Sequence, residues 1–179
     1  MRDIAGRVGV TVPALYYHHA NKEAILFALL DTSINRLTGL IDAALADAGD
    51  DVEQRFLNLI EALTLFMANS TKLAGLDAEI RSLAPDLRDT YSKKRRRIER
   101  TLVDVIETGN RAGVFEVTSP KDSARALLGM IQAVATWYQP AGRVSPRALA
   151  RKYVDIAAHT IGASAELVAR AQAVGDVRL

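Results

Sequence analysis

Apolar residues recur along the chain at spacings of three and four, without sustained strand-type alternation, so the pattern predicts an all-α protein. Asn21 stands where a cap belongs, ahead of a stripe formed by Leu26, Leu30, Ile34, Leu37, Ile41 and Leu45 that ends at the Ala-Gly-Asp-Asp turn of residues 48–51. A second long helix, about 51–69, carries Phe56, Leu59, Ile60, Leu63 and Met67. A shorter one on Leu73, Leu76, Ile80 and Leu83 stops before Pro85, because proline biases the residue ahead of it away from helix. Residues 86–112 continue on Tyr91, Ile98, Leu102, Val105 and Ile106 and close at Gly113. Ser119-Pro120 opens a helix through Leu127, Leu128, Ile131 and Ala135 to Trp137-Tyr138, and Ser145-Pro146 opens another with Leu149, Tyr153, Ile156 and Ile161. The alanine-rich tail from about Ala163 predicts a further turn or two.

The front of the chain has a different texture. In IAGRVGVTVPALYYHHANKEAIL, residues 4–26, Ala5 supplies the small residue that a helix-turn-helix needs where two helices cross. Gly9 turns the chain, and Ile4, Val8, Val10 and Leu15 lock the pair together. Thr11 takes the N-cap position of a short second helix, about 11–18, with Val12 and Pro13 in its first turn. That helix ends in Tyr16, Tyr17, His18 and His19 and has the size that enters a DNA major groove. An ordinary helical hairpin that happens to contain Ala and Gly is the plainer alternative, which the clustered tyrosines disfavour.

A length of 179 residues suits one domain, or a small one fused to a larger, and the absence of cysteine rules out disulfides, thiolate zinc sites and cysteine nucleophiles. Net charge is only +2, but the segment KKRRRIER, residues 93–100, holds a local +5 and leaves the remainder at −3. Bulk charge therefore argues little for a polyanionic partner. No uninterrupted apolar run approaches the ~18 residues of a spanning helix and no signal-type segment opens the chain, which predicts a cytoplasmic location without a membrane partner.

The block GVTVPALYYHHANKEAIL resembles the recognition helix and linker of TetR-type (TetR/AcrR) transcriptional regulators. The resemblance rests on Leu15-Tyr16-Tyr17-His18 and Lys22 standing together with Ala5 and Gly9. It implies a helix-turn-helix head over residues 1–30, running into a linking helix to about 48, and an effector-binding and dimerisation domain over 51–179. By position, Arg2 would reach a base edge or phosphate, and Thr11 would cap its helix and touch phosphate. Val12, Pro13 and Ala14 would face bases, Tyr16, Tyr17 and His18 would meet phosphate or groove wall, and Lys22 would clamp a phosphate at a helix N-terminus. His19 stands where the family places an apolar residue and is expected to pack, since adjacent histidines point ~100° apart and chelate poorly. These regulators have a full helix ahead of the one beginning at Met1, so the expectation is that the sequence is a shortened form of the natural protein.

From about Leu83 onward, RRRIERTLVDVIETGNRAGVF and PKDSARALLGMIQAVATWYQPAGRVSP are similar to the branch of these regulators that responds to acyl-CoA thioesters. That implies an apolar effector, candidate lining at Leu63, Phe66, Met67, Ile80, Tyr91, Ile106, Met130 and Trp137, and a repressor released from a pseudo-palindromic operator. Extending the stripe Tyr91, Ile98, Leu102 backward puts Arg95 on the core-facing side, where it needs an anionic partner: Asp77, Glu79, Asp86 or the phosphates of a coenzyme A. The simpler reading of the basic run is a solvated helix face. Gly129, Ala133, Ala150 and Ala157 on the helices about 120–138 and 146–162 would allow close packing in a homodimer. The competing class is an all-helical carrier or enzyme. Against catalysis stand the lack of HExxH, GxGxxG and Walker-type motifs and an isolated His159, so neither a metal nor a cofactor is expected.

Overall fold

A computed structural model describes residues 1–9, 11–71 and 76–173. Val10 and Leu73 lie outside the described residues, as do the side chains of Ile4, Val8, Leu15, Leu76 and Asp77. The elements are α1 (Arg2–Val8), α2 (Val12–His18), α3 (Lys22–Ala48), α4 (Val52–Asn69), a 3-10 helix (Leu76–Ser82), α5 (Pro85–Arg111), α6 (Pro120–Trp137), α7 (Pro146–Thr160) and α8 (Ala165–Ala173).

Local chemistry explains most of the boundaries. Asn21, Asp51, Ser119 and Ser145 each accept a backbone N–H from three residues on, satisfying one of the donors a helix start leaves open. Pro120 and Pro146 occupy the first turn after Ser119 and Ser145, and Pro85 the first turn of α5 after Ala84, where a missing N–H costs nothing. Pro85 thus opens α5 as well as stopping what precedes it.

Helix α4 packs against α3, α5, α6 and α7. Being surrounded, it buries more than the predicted stripe: Leu57, Asn58, Thr64 and Ala68 join Phe56, Leu59, Ile60 and Leu63. The two polar members are satisfied. Asn58 Nδ2 donates to Ala44 O at 3.0 Å and its Oδ1 accepts from Gln54 at 2.7 Å, while Thr64 Oγ1 donates to Ile60 O at 2.8 Å. Gly109 on α5 is where only glycine fits, since a Cβ there would lie 2.1 Å from the Phe115 ring, which itself packs on Phe56.

Two expectations about α7 change. Ala150, Val154, Ala157, Ala158 and Ile161 turn inward, so Ile156, predicted as core, is exposed. For the same reason Ala150 and Ala157 are occupied within the protomer and are not free to pack against a second copy, whereas Gly129 and Ala133 lie on the exposed side of α6. Helix α8 closes the bundle: Leu167 is buried, and Arg170 binds Glu53 at 2.8 Å, Asp51 at 3.0 Å and Gln54 at 2.8 Å at the start of α4.

By length and apolar content α3 is sufficient to cross a membrane. Here it contributes Leu30, Ile34, Leu37 and Ile41 to the core and pairs Asp31 and Asp42 with cations of α5, which is how a core helix is used.

Candidate functional site

In the head, Gly9 ends α1 with φ 76° and its N–H returns to Ala5 O. That left-handed conformation is one L side chains rarely adopt, so the turn between α1 and α2 depends on glycine. Thr11 Oγ1 accepts from Ala14 N at 3.2 Å, fixing the start of α2. Ala5 is buried at the crossing. The outer surface of this pair is the candidate nucleic-acid interface. Arg2, Thr11, Pro13, Ala14, His18 and Lys22 are exposed and Val12 is half-buried. Tyr16 is 50% and Tyr17 86% exposed, with the Tyr17 and His18 rings edge-to-face at 5.2 Å. Tyr17 stands almost wholly in water and Tyr16 half so, large aromatic surface that a short helix does not expose for the sake of packing on the described residues. His19 is half-buried, and among the described residues no cluster of His, Asp or Glu has the arrangement of a metal site.

Among the described residues, one polar contact ties the start of α3, just after the head, to the body. The Glu23 carboxylate, in the first turn of α3, accepts the backbone N–H of Ala84 at the start of α5. Farther along the same pair of helices, Lys94 binds Asp31 and Asn35, and Arg97 binds Asp42 at 3.3 Å. Lys93 and Arg96 pair with Asp89 of their own helix. The basic run is therefore largely neutralised by carboxylates, and its α3-facing members form a seam of charges between α3 and α5.

Behind the seam lies a cavity of about 360 Å³. Its walls come from α3 (Leu29, Leu30, Ser33, Ile34, Leu37), α4 (Leu63, Phe66, Met67, Ser70), α5 (Tyr91, Arg95, Ile98) and α6, where Leu128, Gln132 and Thr136 contribute. Its size lies in the range of small-molecule sites. Leu63, Phe66, Met67, Tyr91 and Arg95 all line this cavity, with Arg95 half-buried at the wall.

The other expected lining residues lie elsewhere. Ile106 is fully buried in the central core, and Met130 packs against that core from the side. Ile80 sits half-buried on the 3-10 helix, packed on the core. Trp137, at the last turn of α6, is 52% exposed and stacks edge-to-face on Tyr138, while its indole acts on the Tyr153 hydroxyl, whose pKa burial pushes up. Of Arg95's expected partners, Glu79 and Asp86 are exposed and the Asp77 side chain is not among those described. What sequence reasoning missed is the whole α3 wall. Its leucines and isoleucine read as plain core, and the available signal was Ser33, a polar residue beside the apolar stripe.

Comparison with known proteins supplies the family. Residues 1–29 match the bacterial regulatory proteins of the tetR family, and residues 49–161 match the tetracyclin repressor-like C-terminal domain. The HTH-type transcriptional repressor KstR2 of Mycobacterium tuberculosis is 27% identical over 165 residues, spanning 87% of this chain and 79% of that protein. Among solved structures, a tetR-family regulatory protein from Rhodococcus RHA1 superimposes with a TM-score of 0.82 at 25% identity, covering 91% of this chain and 86% of the other. AibR, solved with isovaleryl coenzyme A and operator DNA, shares the fold with a TM-score of 0.77 at 20% identity, covering 90% and 86%. Head and body are both matched, and the chain belongs to the tetR family of bacterial regulatory proteins, DNA-binding regulators of transcription.

Proposed function

We propose that the chain is a one-component repressor that leaves its operator when an apolar effector, an acyl-CoA thioester, occupies the cavity. The observation that carries this reading is the double use of α3. One side of it, Leu29 to Leu37, walls the cavity, and its N-terminus at Lys22 follows directly on the recognition helix α2. The names of the relatives support it: KstR2 is called a repressor, and AibR was solved with an acyl-CoA and DNA.

In this mechanism a homodimer presents two α2 helices to successive major grooves of a pseudo-palindromic operator, roughly 34–36 Å apart. Tyr16, Tyr17, His18, Lys22 and Arg2 hold phosphates and groove edges, with Val12, Pro13 and Ala14 toward the bases. The cavity is too small for a nucleotide as well as an acyl chain, so it takes the acyl part, and Arg95 meets the anionic or thioester end. Filling the cavity tilts α3 and changes the spacing of the two heads. The effector must favour one spacing energetically, since equal affinity for both would shift nothing. Dimerisation uses the exposed side of α6 with α7. Residues 1–30 form the head and 51–179 the effector and dimerisation domain, no reaction is catalysed, and the protein acts in the cytoplasm.

The test is a DNA-binding titration of the full-length protein on its own promoter region across salt concentrations, alone and with decanoyl-CoA. Steep salt dependence, specific retention over random DNA, and release by the thioester are expected. Decanoyl-CoA should also raise the melting temperature of wild type more than that of Arg95→Ala. Failure of any specific retention at low salt overturns the repressor reading, and an equal rise removes Arg95 from the site.

A further inference from the structure

Helix α5 starts without a cap of its own. Ala84 stands at its N-cap position with no side-chain acceptor to offer, and the buried Leu83 and Pro85 hold its backbone on either side. The Ala84 N–H, one of the donors that a helix start leaves open, is taken by the Glu23 carboxylate of α3, 61 residues away in sequence. Glu23 is half-buried, and α3 does not need it as a cap, because Asn21 already accepts from Ala24 N at 2.8 Å. The two helices joined in this way have separate duties. Helix α5 runs through the core with Ile98, Leu102 and Ile106, while only His19, Ala20 and Asn21 separate the start of α3 from α2. Among the described residues α1 and α2 pack chiefly on each other, so their direction relative to the body is inherited from the first turn of α3. Glu23 sits in that turn, next to Lys22, and grips a backbone amide fixed in the body.

We propose that Glu23 is a positioning residue of the DNA reader: by holding the Ala84 N–H it fixes the angle at which the head leaves the body, and with it the spacing of the two α2 helices in the dimer. The inference rests on the dimeric operator-binding reading above and is independent of the effector. A two-fold operator sets the separation of its half-sites, so heads already held at one angle lose less freedom on binding than heads that swing. Random DNA makes no such demand. Charge alone points the other way, since a carboxylate beside Lys22 repels phosphate and its removal should tighten binding to any DNA. An acid in the first turn also favours the dipole of its own helix. Ala84→Pro separates the two roles: it deletes the amide hydrogen, leaves the carboxylate on α3, and suits a residue whose φ is −54°.

The test titrates the full-length protein and its Glu23→Ala, Ala84→Pro and doubly substituted forms with the promoter region and with random-sequence duplex, alongside thermal melting of each. Head spacing is read by pulsed electron double resonance between spin labels on Arg7→Cys of the two protomers, the sequence having no cysteine of its own. Each single substitution should broaden the distance distribution and weaken promoter binding about 10-fold, with random duplex bound as before or slightly tighter. The double should be no worse than either single, because both remove one contact. Melting should fall by no more than about 4 °C, the effect of one lost hydrogen bond. A distribution that stays as narrow as wild type in Glu23→Ala overturns the assignment. Equal loss on promoter and random duplex makes Glu23 part of the reading surface and also overturns it, as do losses that add in the double. Absence of promoter preference in wild type removes the operator reading instead, and the label distances then decide alone whether Glu23 fixes the head.

Discussion

The head and the body solve opposite problems. In the head, α1 and α2 are shaped by contacts within a few residues, namely the Gly9 turn and the Thr11 cap, and the side chains that matter point outward, Tyr17 most of all. In the body, α3 to α8 share one continuous core that includes Phe56, Ile60, Leu102, Ile131 and Ile161, and the groups with chemical potential face an interior space. The contrast teaches that stability and recognition are separated along this chain. A substitution should therefore damage one without the other, except along α3.

The largest expected effect tests the body. Phe56→Ala removes a fully buried ring that packs on Phe115 and should cost about 3–5 kcal/mol in urea unfolding. A loss below ~1 kcal/mol would mean that the core is not the shared structure described here. In the head, Tyr17→Ala should lower operator affinity by about 10-fold while leaving the melting temperature within ~1 °C, because an exposed side chain away from the core contributes little to folding. A drop in melting temperature with DNA binding unchanged would reverse the contrast.

The smallest effect concerns the closing helix. Arg170→Met should cost about 1 kcal/mol at neutral pH, since the ion pairs with Glu53 and Asp51 are only partly shielded from water. The backbone N–H of Gln54 and, after it, Arg170 hold the Asp51 carboxyl below its usual pKa. A depressed carboxylate stabilises the folded state above the unfolded pKa, and that contribution fades as pH falls through the folded one. The difference between wild type and Arg170→Met should therefore shrink below about pH 4, followed by melting temperature. A difference that stays constant to pH 2.5 would place the role of Arg170 in packing alone.

Much of this was legible in the sequence because it is written locally. Helix boundaries at Asn21, Asp51, Ser119-Pro120 and Ser145-Pro146 follow from capping chemistry, and the family signature sits in one stretch of the head. The cavity was legible only in part. Leu63, Phe66 and Arg95 stand on faces that the periodicity points inward, but periodicity cannot separate a wall from a core. Leu30, Ile34 and Leu37 satisfy the same pattern as Ile106, yet they border the cavity while Ile106 is fully enclosed in the core. Ile156 and Trp137 show the converse, apolar residues set outward by the rotation their helices take in packing.

The fastening of α3 is lopsided. Its far end is held by Asn58 on Ala44 O, Arg55 on Gly49 O and Arg97 on Asp42, with Arg170 gripping Asp51 just beyond. In the half that leads to the head, the polar holds among the described residues are Lys94 on Asp31 and Asn35 and the Glu23 contact with Ala84 N. The helix has 27 residues, is roughly 40 Å long at 1.5 Å per residue, and has its densest polar anchoring near Ala48. Were the proposed tilt to turn α3 about that end, Lys22, more than twice as far from Ala48 as Leu37 is, would travel roughly twice the distance imposed at Leu37.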